Sequence, residues 1–326
     1  WWRTEGHRAL ANNSVAYTEK PDFEAFLNEM QTMYESKAGE RGIFSRIAAQ
    51  KIAARNGRRD SVQDFGTNPC SEIILRSNQF CNLSEIVVRA DDTLASLKKK
   101  SEIAAIIGTL QATLTDFRYL RNCWKKNTEE EALLGVSMTG IMDHRVLSGA
   151  EPEELGKYLE GIRDVAVKTN KEWAAKLGIN QSAAITCVKP SGTVSQLVDS
   201  ASGIHPRFSQ YYIRRVRSDK KDPLAVFMQE KGFPVEQDVM SPSSSVFSFP
   251  VAAPKESVTV ADVGAMQQLE LWKAYQNHWC EHKPSITVYY TDDEFLEVAQ
   301  WIWDNFDLCS GISLLPVSDH VYQQAP

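Results

Sequence analysis

The chain has 326 residues, carries a formal net charge of −6, and is 43% hydrophobic and 24% charged. That length suits one large domain or two ordinary ones, and the composition supports a sizeable core instead of a disordered tail. Lysine and arginine are spread along the chain, so the concentrated positive face of a nucleic-acid binder is missing and no such partner is expected.

No apolar run reaches the roughly 18 residues of a membrane span, and no charged-then-apolar leader opens the chain. The six cysteines are too sparse for an extracellular disulfide scaffold. A cytoplasmic protein is therefore expected, with no membrane partner and with any working cysteine starting as a thiol. The chain opens on Trp1-Trp2-Arg3 without methionine and stops at Gln323-Gln324-Ala325-Pro326, so it reads as a fragment.

In chain order, Phe23, Phe26, Leu27, Met30 and Tyr34 predict a helix just after Pro21-Asp22. Short β-branched runs at Ile73–Leu75 and Ile86–Val88 predict strands. Asp91–Lys100 reads as an excursion from the scaffold. Ile103, Ile106, Leu110, Leu114 and Phe117 predict a second helix. Leu155, Tyr158, Leu159, Ile162 and Val165 predict a third, running to Gly178. A strand follows at Ala183–Val188, then a serine-rich excursion at Ser241–Ser248. Val263, Met266, Leu269 and Trp272 predict a helix capped by Asp262, with a strand at Ile286–Tyr290 after it. Phe295, Leu296, Ala299, Ile302, Trp303 and Phe306 predict the last helix and Ile312–Leu315 the last strand. The helical stripes face a core and say nothing of function. Helices alternating with short buried strands indicate an α/β domain. No repeat and no clear boundary appear, so residues 1–326 are read as a single partial domain.

The chemistry concentrates at Gly66-Thr67-Asn68-Pro69-Cys70-Ser71-Glu72. Pro69 fixes its own φ and pushes Asn68 out of the helical region, and Gly66 adds freedom, so this is a shaped loop. In an extended loop Asn68, Cys70 and Glu72 project from one side, bringing an amide, a thiol and a carboxylate together. The thiol can serve as nucleophile, metal ligand or hydrogen-atom abstractor. The carboxylate can take a proton from a neighbouring hydroxyl. Cys81 lies eleven positions after Cys70, too far for a CxxC pair, and no His or Cys nearby completes a zinc set. An isolated cysteine is most often simply buried; the combined string is what carries weight.

Lys189-Pro190-Ser191-Gly192-Thr193-Val194-Ser195 follows the strand at Ala183–Val188. A strand leading into a Gly-containing turn with hydroxyls presents backbone N–H groups to an anion. On turn chemistry alone an ordinary turn is the commoner meaning.

Asn68-Pro69-Cys70-Ser71-Glu72 resembles the finger-loop motif Asn-x-Cys-x-Glu of ribonucleotide reductases, and Phe80-Cys81-Asn82-Leu83 resembles their second redox cysteine. The resemblance implies that Cys70 carries a transient thiyl radical that takes hydrogen from C3′ of a ribose. Glu72 is then the base on the 3′-hydroxyl, Asn68 holds the ribose hydroxyls, and Cys81 is one half of the dithiol supplying electrons as the 2′-hydroxyl leaves as water. Pro190, Ser191, Gly192 and Thr193 resemble the substrate-phosphate loop, which implies phosphate binding by amides and hydroxyls. The fold implied is a ten-stranded α/β barrel with a central finger loop, its N-terminal strands missing.

Further stretches resemble the monomeric, adenosylcobalamin-dependent class, which acts on ribonucleoside triphosphates. They are Ala11–Val15, Gly135–Asp143, Ser202–His205, Tyr211–Arg217, Trp279–Ser285 and Asp319–Pro326. The resemblance thus covers nearly the whole chain and implies adenosylcobalamin as cofactor and thioredoxin or a similar dithiol as reductant. The partner thiol of Cys81 is expected upstream of Trp1 and a reloading two-cysteine tail beyond Pro326. A companion chain would then supply the missing strands, and the isolated chain is expected not to turn over. His278, Cys280 and His282 could be mistaken for a metal cluster, but no fourth ligand is evident, so no metal is expected. Arg214, Arg215, Arg217, Lys220 and Lys221 form a basic run, more often a solvated face than a site. Two rivals remain. Tyr289-Tyr290 could be the tyrosine relay of an iron-dependent diphosphate reductase, and the chain could be a nucleotide-binding module without turnover.

Overall fold

The computed structural model describes residues 13–39 and 41–317. Ala11 and Asn12 of the first resembling stretch, and all of Asp319–Pro326, lie outside the described residues.

The elements run β1 (Ser14–Tyr17), α1 (Phe23–Ser36), β2 (Gly42–Ser45), α2 (Arg46–Ala54), β3 (Gly66–Thr67), β4 (Ile74–Leu75), β5 (Asn82–Val87), α3 (Leu94–Gln111), α4 (Asn122–Glu131) and β6 (Leu134–Thr139). They continue with α5 (Pro152–Leu177), α6 (Val194–Leu197), β7 (Tyr211–Asp219), α7 (Pro223–Glu230), β8 (Val235–Gln237), β9 (Ser244–Ala252), α8 (Ala265–His278), β10 (Thr287–Tyr290), α9 (Phe295–Asp304) and β11 (Ser313–Pro316). Local chemistry sets the helix ends. Asp22 accepts from Ala25 N at the start of α1, and Thr93 with Ser96 forms a capping box for α3. Pro152 opens α5 ahead of Glu153 and Glu154, and Gly178, at φ 70°, closes it.

The central strands form one continuous series. β5 pairs parallel with β6, and β6 exchanges backbone hydrogen bonds with the extended segment 183–188 through Val136 N to Ile185 O (2.8 Å) and Cys187 N to Val136 O (3.0 Å). That segment reaches the start of β10 through Val188 N to Lys283 O (3.2 Å) and Ser285 N to Val188 O (2.9 Å). β10 pairs parallel with β11, and β1 pairs parallel with β2. The seam between these runs is antiparallel: Ile43 N donates to Ile312 O (2.8 Å) and Ile312 N to Ile43 O (3.1 Å). Among the described residues nothing pairs with the outer edges of β5 and β1, and the series runs as a wall of strands. Strands such as β6, buried at every position, carry the continuous apolar character of a sheet covered on both faces. Helices α3, α5, α8 and α9 cover the wall, and Ile86, Val136, Met138, Ile162, Leu269, Trp272 and Ile302 join in the main core. Beyond the wall, β7, β9 and β8 form a small antiparallel sheet with β9 in the middle.

Several expectations are corrected. Asp91–Lys100 is no excursion, because α3 begins at Leu94 and ends at Gln111, which leaves Leu114 and Phe117 beyond it. The stripe misled because Ile103 and Leu110 lie on the uncovered face, while Leu97, Ala104, Ala105 and Gly108 face inward. Ser241–Ser248 is no excursion beyond Ser243, because Ser244–Ser248 belongs to β9, where Ser245, Val246 and Phe247 are buried in succession. Asp262 caps no long helix; it closes a capping box with Thr259, and Gly264 precedes α8.

Candidate active site

The reactive loop hangs on a short hairpin. β3 pairs antiparallel with β4, and Asn68–Ile73 forms the tip between them. Asn68 Oδ1 accepts from Ile73 N at 3.0 Å, and Ser71 N donates to Asn68 O at 2.9 Å. Ser71 takes the left-handed region at φ 66°. This tight turn overrides the extended alternation expected of the loop. Pro69, Cys70 and Ser71 face a cavity, Asn68 folds back to brace the turn, and Glu72 is fully buried behind it. Both Glu72 carboxylate oxygens lack a hydrogen-bond partner.

What joins thiol to carboxylate is Lys189, the residue ahead of the presumed phosphate turn. Its Nζ lies 3.6 Å from Cys70 Sγ and 3.7 Å from Glu72 Oε1. Burial alone would lower the Lys189 pKa, but Glu72 and Cys70 outweigh it and hold the ammonium above its ordinary value. The turn is anchored from below. Lys189 N donates to Ser137 Oγ at 2.8 Å, and Ser191 Oγ donates to Glu85 Oε2 at 2.6 Å. Ser191 is buried and left-handed at φ 51°. Burial raises the Glu85 pKa against the opposing effects of Ser191, Lys189 and Ser137. The Ser191 hydroxyl, expected to meet phosphate, is thus committed to a carboxylate. Pro190 and Gly192 line the cavity, and Thr193, exposed, leads into α6. Gly203 packs over this turn at φ 55°, where a Cβ would stand 2.3 Å from Lys189 O, so no side chain fits.

The cavity, about 630 Å³, is of the size that takes a nucleotide, and it holds Cys70, Gly192, His205, Arg207, Arg214 and Tyr289 in one wall. His205 accepts from Thr287 N on Nε2 (2.9 Å) and meets Ser202 O through Nδ1 (3.1 Å), so it is neutral, and burial lowers its pKa. Arg207 is clamped by Asp143 at 2.9 Å, itself bound by Ser257 Oγ (2.7 Å) and Ala201 N (2.8 Å). Burial would raise the Asp143 pKa, but these donors hold it below its ordinary value.

Cys81 is not brought to this cavity. It sits just before β5, against Leu133, Ala183 and Ala184, and lines a separate groove with Phe80 and Leu83. Burial, and next the Glu72 charge, push its thiol pKa up. Elsewhere, His282 uses both ring nitrogens on backbone, Nδ1 accepting from Ile74 N (3.3 Å) and Nε2 meeting Leu134 O (2.9 Å); burial holds its pKa down to about 3. His278 instead meets Glu160 at the surface, and no metal-type cluster occurs among the described residues. Tyr289 and Tyr290 face opposite sides of β10: Tyr289 lines the cavity, and Tyr290 packs on Tyr34 and Phe295. Sequence reasoning gave no role to Lys189, Glu85, Ser137 or Lys283, although three of them stand inside quoted motifs. A buried charge at the end of an apolar strand was the signal available.

The fold is one shared with solved ribonucleotide reductases. A crystal structure of a B12-dependent (class II) ribonucleotide reductase superposes with a TM-score of 0.76 over 99% of this chain and 49% of that one, at 24% identity. The alpha subunit of the class Id reductase of Actinobacillus ureae gives a TM-score of 0.61 over 94% of this chain, at 14% identity. By sequence the chain is 30% identical, over 98% of its length, to the adenosylcobalamin-dependent ribonucleoside-triphosphate reductase of Lacticaseibacillus paracasei. It spans 46% of that relative, so about half the length of the curated proteins it matches. No family model matches the chain.

Proposed function

We propose that residues 1–326 form one partial domain, the finger-loop part of a reductase barrel that converts ribonucleotides, as triphosphates, into 2′-deoxyribonucleotides. The observation that carries this reading is Glu72: a carboxylate sealed from water, with no hydrogen bond to either oxygen and only the longer Lys189 contact, directly behind Cys70. A buried acceptor of that kind is costly unless a ligand hydroxyl completes it. In the reaction Cys70, as a thiyl radical, takes the hydrogen atom from C3′. Glu72 takes the proton of the 3′-hydroxyl. The 2′-hydroxyl leaves as water on a proton from a dithiol, which also reduces C2′ and becomes a disulfide; Glu72 then returns its proton to the 3′-oxygen and Cys70 its hydrogen atom to C3′, restoring the thiyl radical. Asn68 fixes the turn that presents Cys70, and Pro190, Ser191, Gly192 and Thr193 hold the triphosphate through backbone amides, Ser191 by shaping the turn.

Adenosylcobalamin is the cofactor this reading requires, and when bound it supplies the one-electron oxidising equivalent for the Cys70 thiol. The cavity fits such a group in that it is open and has Cys70 among its lining residues. His205, the histidine of its wall, has both nitrogens engaged and offers none to cobalt. Cys81 is one half of the dithiol, and thioredoxin or a similar protein is the terminal reductant. All six cysteines are free thiols, which suits a cytoplasmic setting. No helix among the described residues is long and apolar enough to cross a membrane.

The rest of the barrel lies outside residues 1–326. The edge of β5, unpaired among the described residues, and the exposed Ile103 and Ile107 of α3 line a groove that suits a further strand and helix. The test is to mix the chain with a polypeptide covering the remainder of its relatives and assay deoxynucleotide formation with adenosylcobalamin and a dithiol. Activity in the mixture, none from the chain alone and none with Cys70→Ser is expected. Turnover that survives Cys70→Ser would overturn the reading.

A further inference from the structure

A second lysine, Lys283, stands under the reactive loop and takes no part in the chemistry above. Its side chain is fully buried. Nζ donates to Ser71 Oγ at 2.6 Å and to Ser310 O at 3.2 Å, and its backbone N donates to Glu72 O at 3.3 Å. The Phe44 ring lies beneath the ammonium, 5.4 Å from centroid to Nζ. Room for it exists only because residue 311 is glycine: a Cβ there would meet Nζ at 1.9 Å and Ser71 Oγ at 2.9 Å. An ammonium is expensive to bury, so one placed here at the cost of a glycine next to β11 is tied to what it holds. It holds Ser71, the left-handed residue between Cys70 and Glu72.

We infer that Lys283 is a positioning residue for the reactive thiol, fixing Cys70 in the cavity by gripping Ser71 from below. This rests on the proposed function only in taking Cys70 as the working group. The grip couples three parts of the chain: the finger loop, the segment entering β10 and the turn before β11. Burial pushes the Lys283 pKa down to about 7, with Glu72 and Cys309 partly opposing the fall, so the grip is also close to losing its charge near neutrality.

The experiment follows iodoacetamide alkylation of the full chain by peptide mass spectrometry, cysteine by cysteine. Lys283→Met removes the grip, Ser71→Ala removes what is gripped, and Gly311→Ala evicts the ammonium while keeping the lysine. Each variant is expected to speed Cys70 alkylation at least fivefold. The double variant Lys283→Met with Ser71→Ala should go no further than either single one, because the same link is cut. Buried Cys187 and Cys280 are the internal control, and their rates should stay within twofold. The inference is overturned if Cys70 reacts at its original rate in Ser71→Ala, which alters only the loop. It is equally overturned if the double variant is multiplicative, or if Cys187 and Cys280 open in step with Cys70, since Lys283 would then be a general stability residue. A separate arm adds a ribonucleoside triphosphate to the unaltered chain. Failure to shield Cys70 there counts against the proposed function and leaves the Lys283 result standing.

Discussion

Lys189 Nζ stands 3.6 Å from Cys70 Sγ and 3.7 Å from Glu72 Oε1, so a single ammonium, just ahead of the Pro190–Thr193 turn, stands beside both a thiol and a carboxylate of the hairpin tip. Lys189 and Cys70 are 119 residues apart in sequence.

Replacing Lys189 with Met strands the buried Glu72 charge. A broken, fully buried pair costs about 3–5 kcal/mol. Lys189 is 30% exposed and its contact is long, so a loss of about 1–2 kcal/mol is expected in urea unfolding at pH 7. The pKa of Lys189 is raised in the folded state. Its contribution is therefore complete below the unfolded value of about 10.4 and fades as pH climbs through the folded one. The variant should lose correspondingly less than the original chain as pH rises above about 10.4. Equal alkaline losses would contradict this pairing.

Glu72→Gln should do the reverse. It removes the buried charge and leaves Lys189 with access to water, so the fold should be at least as stable, within about 1 kcal/mol. Deoxynucleotide formation by the completed enzyme should nevertheless disappear, because the amide cannot take a proton. A strongly destabilised Glu72→Gln protein would mean that the carboxylate is held by the structure and not kept for a substrate.

Ser191→Ala tests the turn. It strips Glu85 Oε2 of its 2.6 Å donor. Leaving a buried acceptor bare costs about 1–3 kcal/mol, visible as a lower melting temperature. If Ser191 acts by shaping the turn, triphosphate affinity measured by calorimetry falls about tenfold, or roughly 1.4 kcal/mol. Unchanged affinity together with a lower melting temperature would remove the turn from phosphate binding.

Ile107→Lys probes the uncovered groove. Ile107 is 47% exposed, so the chain alone should keep its melting temperature within a degree or two. Binding of the companion polypeptide, followed by gel filtration, should be lost. Undiminished association would place the partner elsewhere.

The sequence made the chemistry legible where neighbours in the chain are neighbours in space: Cys70 and Glu72 share a hairpin, and Pro190 and Gly192 share a turn. It concealed what arrives from a distance. Nothing local marks Glu85 as the support of Ser191, which is 106 residues away, or Lys283 as the support of Ser71, 212 residues away. The loop geometry was misjudged for the same reason. Alternation holds for an extended chain, and the bond from Ser71 N to Asn68 O closes a turn instead. The serines around β9 were taken for loop residues because nothing local shows that this stretch pairs with β7 and β8 on either side, which buries even Ser245. Cys81 matched its motif, but its distance from the cavity depends on how β5 enters the wall, which spacing does not encode.

Ile43 and Ile312 form the seam of the wall, and the glycine that admits Lys283 stands right beside it. Contacts that far apart along the chain form late in folding. As the polypeptide leaves the ribosome, the hairpin tip with Cys70 emerges long before the turn at Gly311 that completes its seat. The half-made protein thus carries an unseated thiol, and Cys70 gains its seat only once synthesis has passed β11.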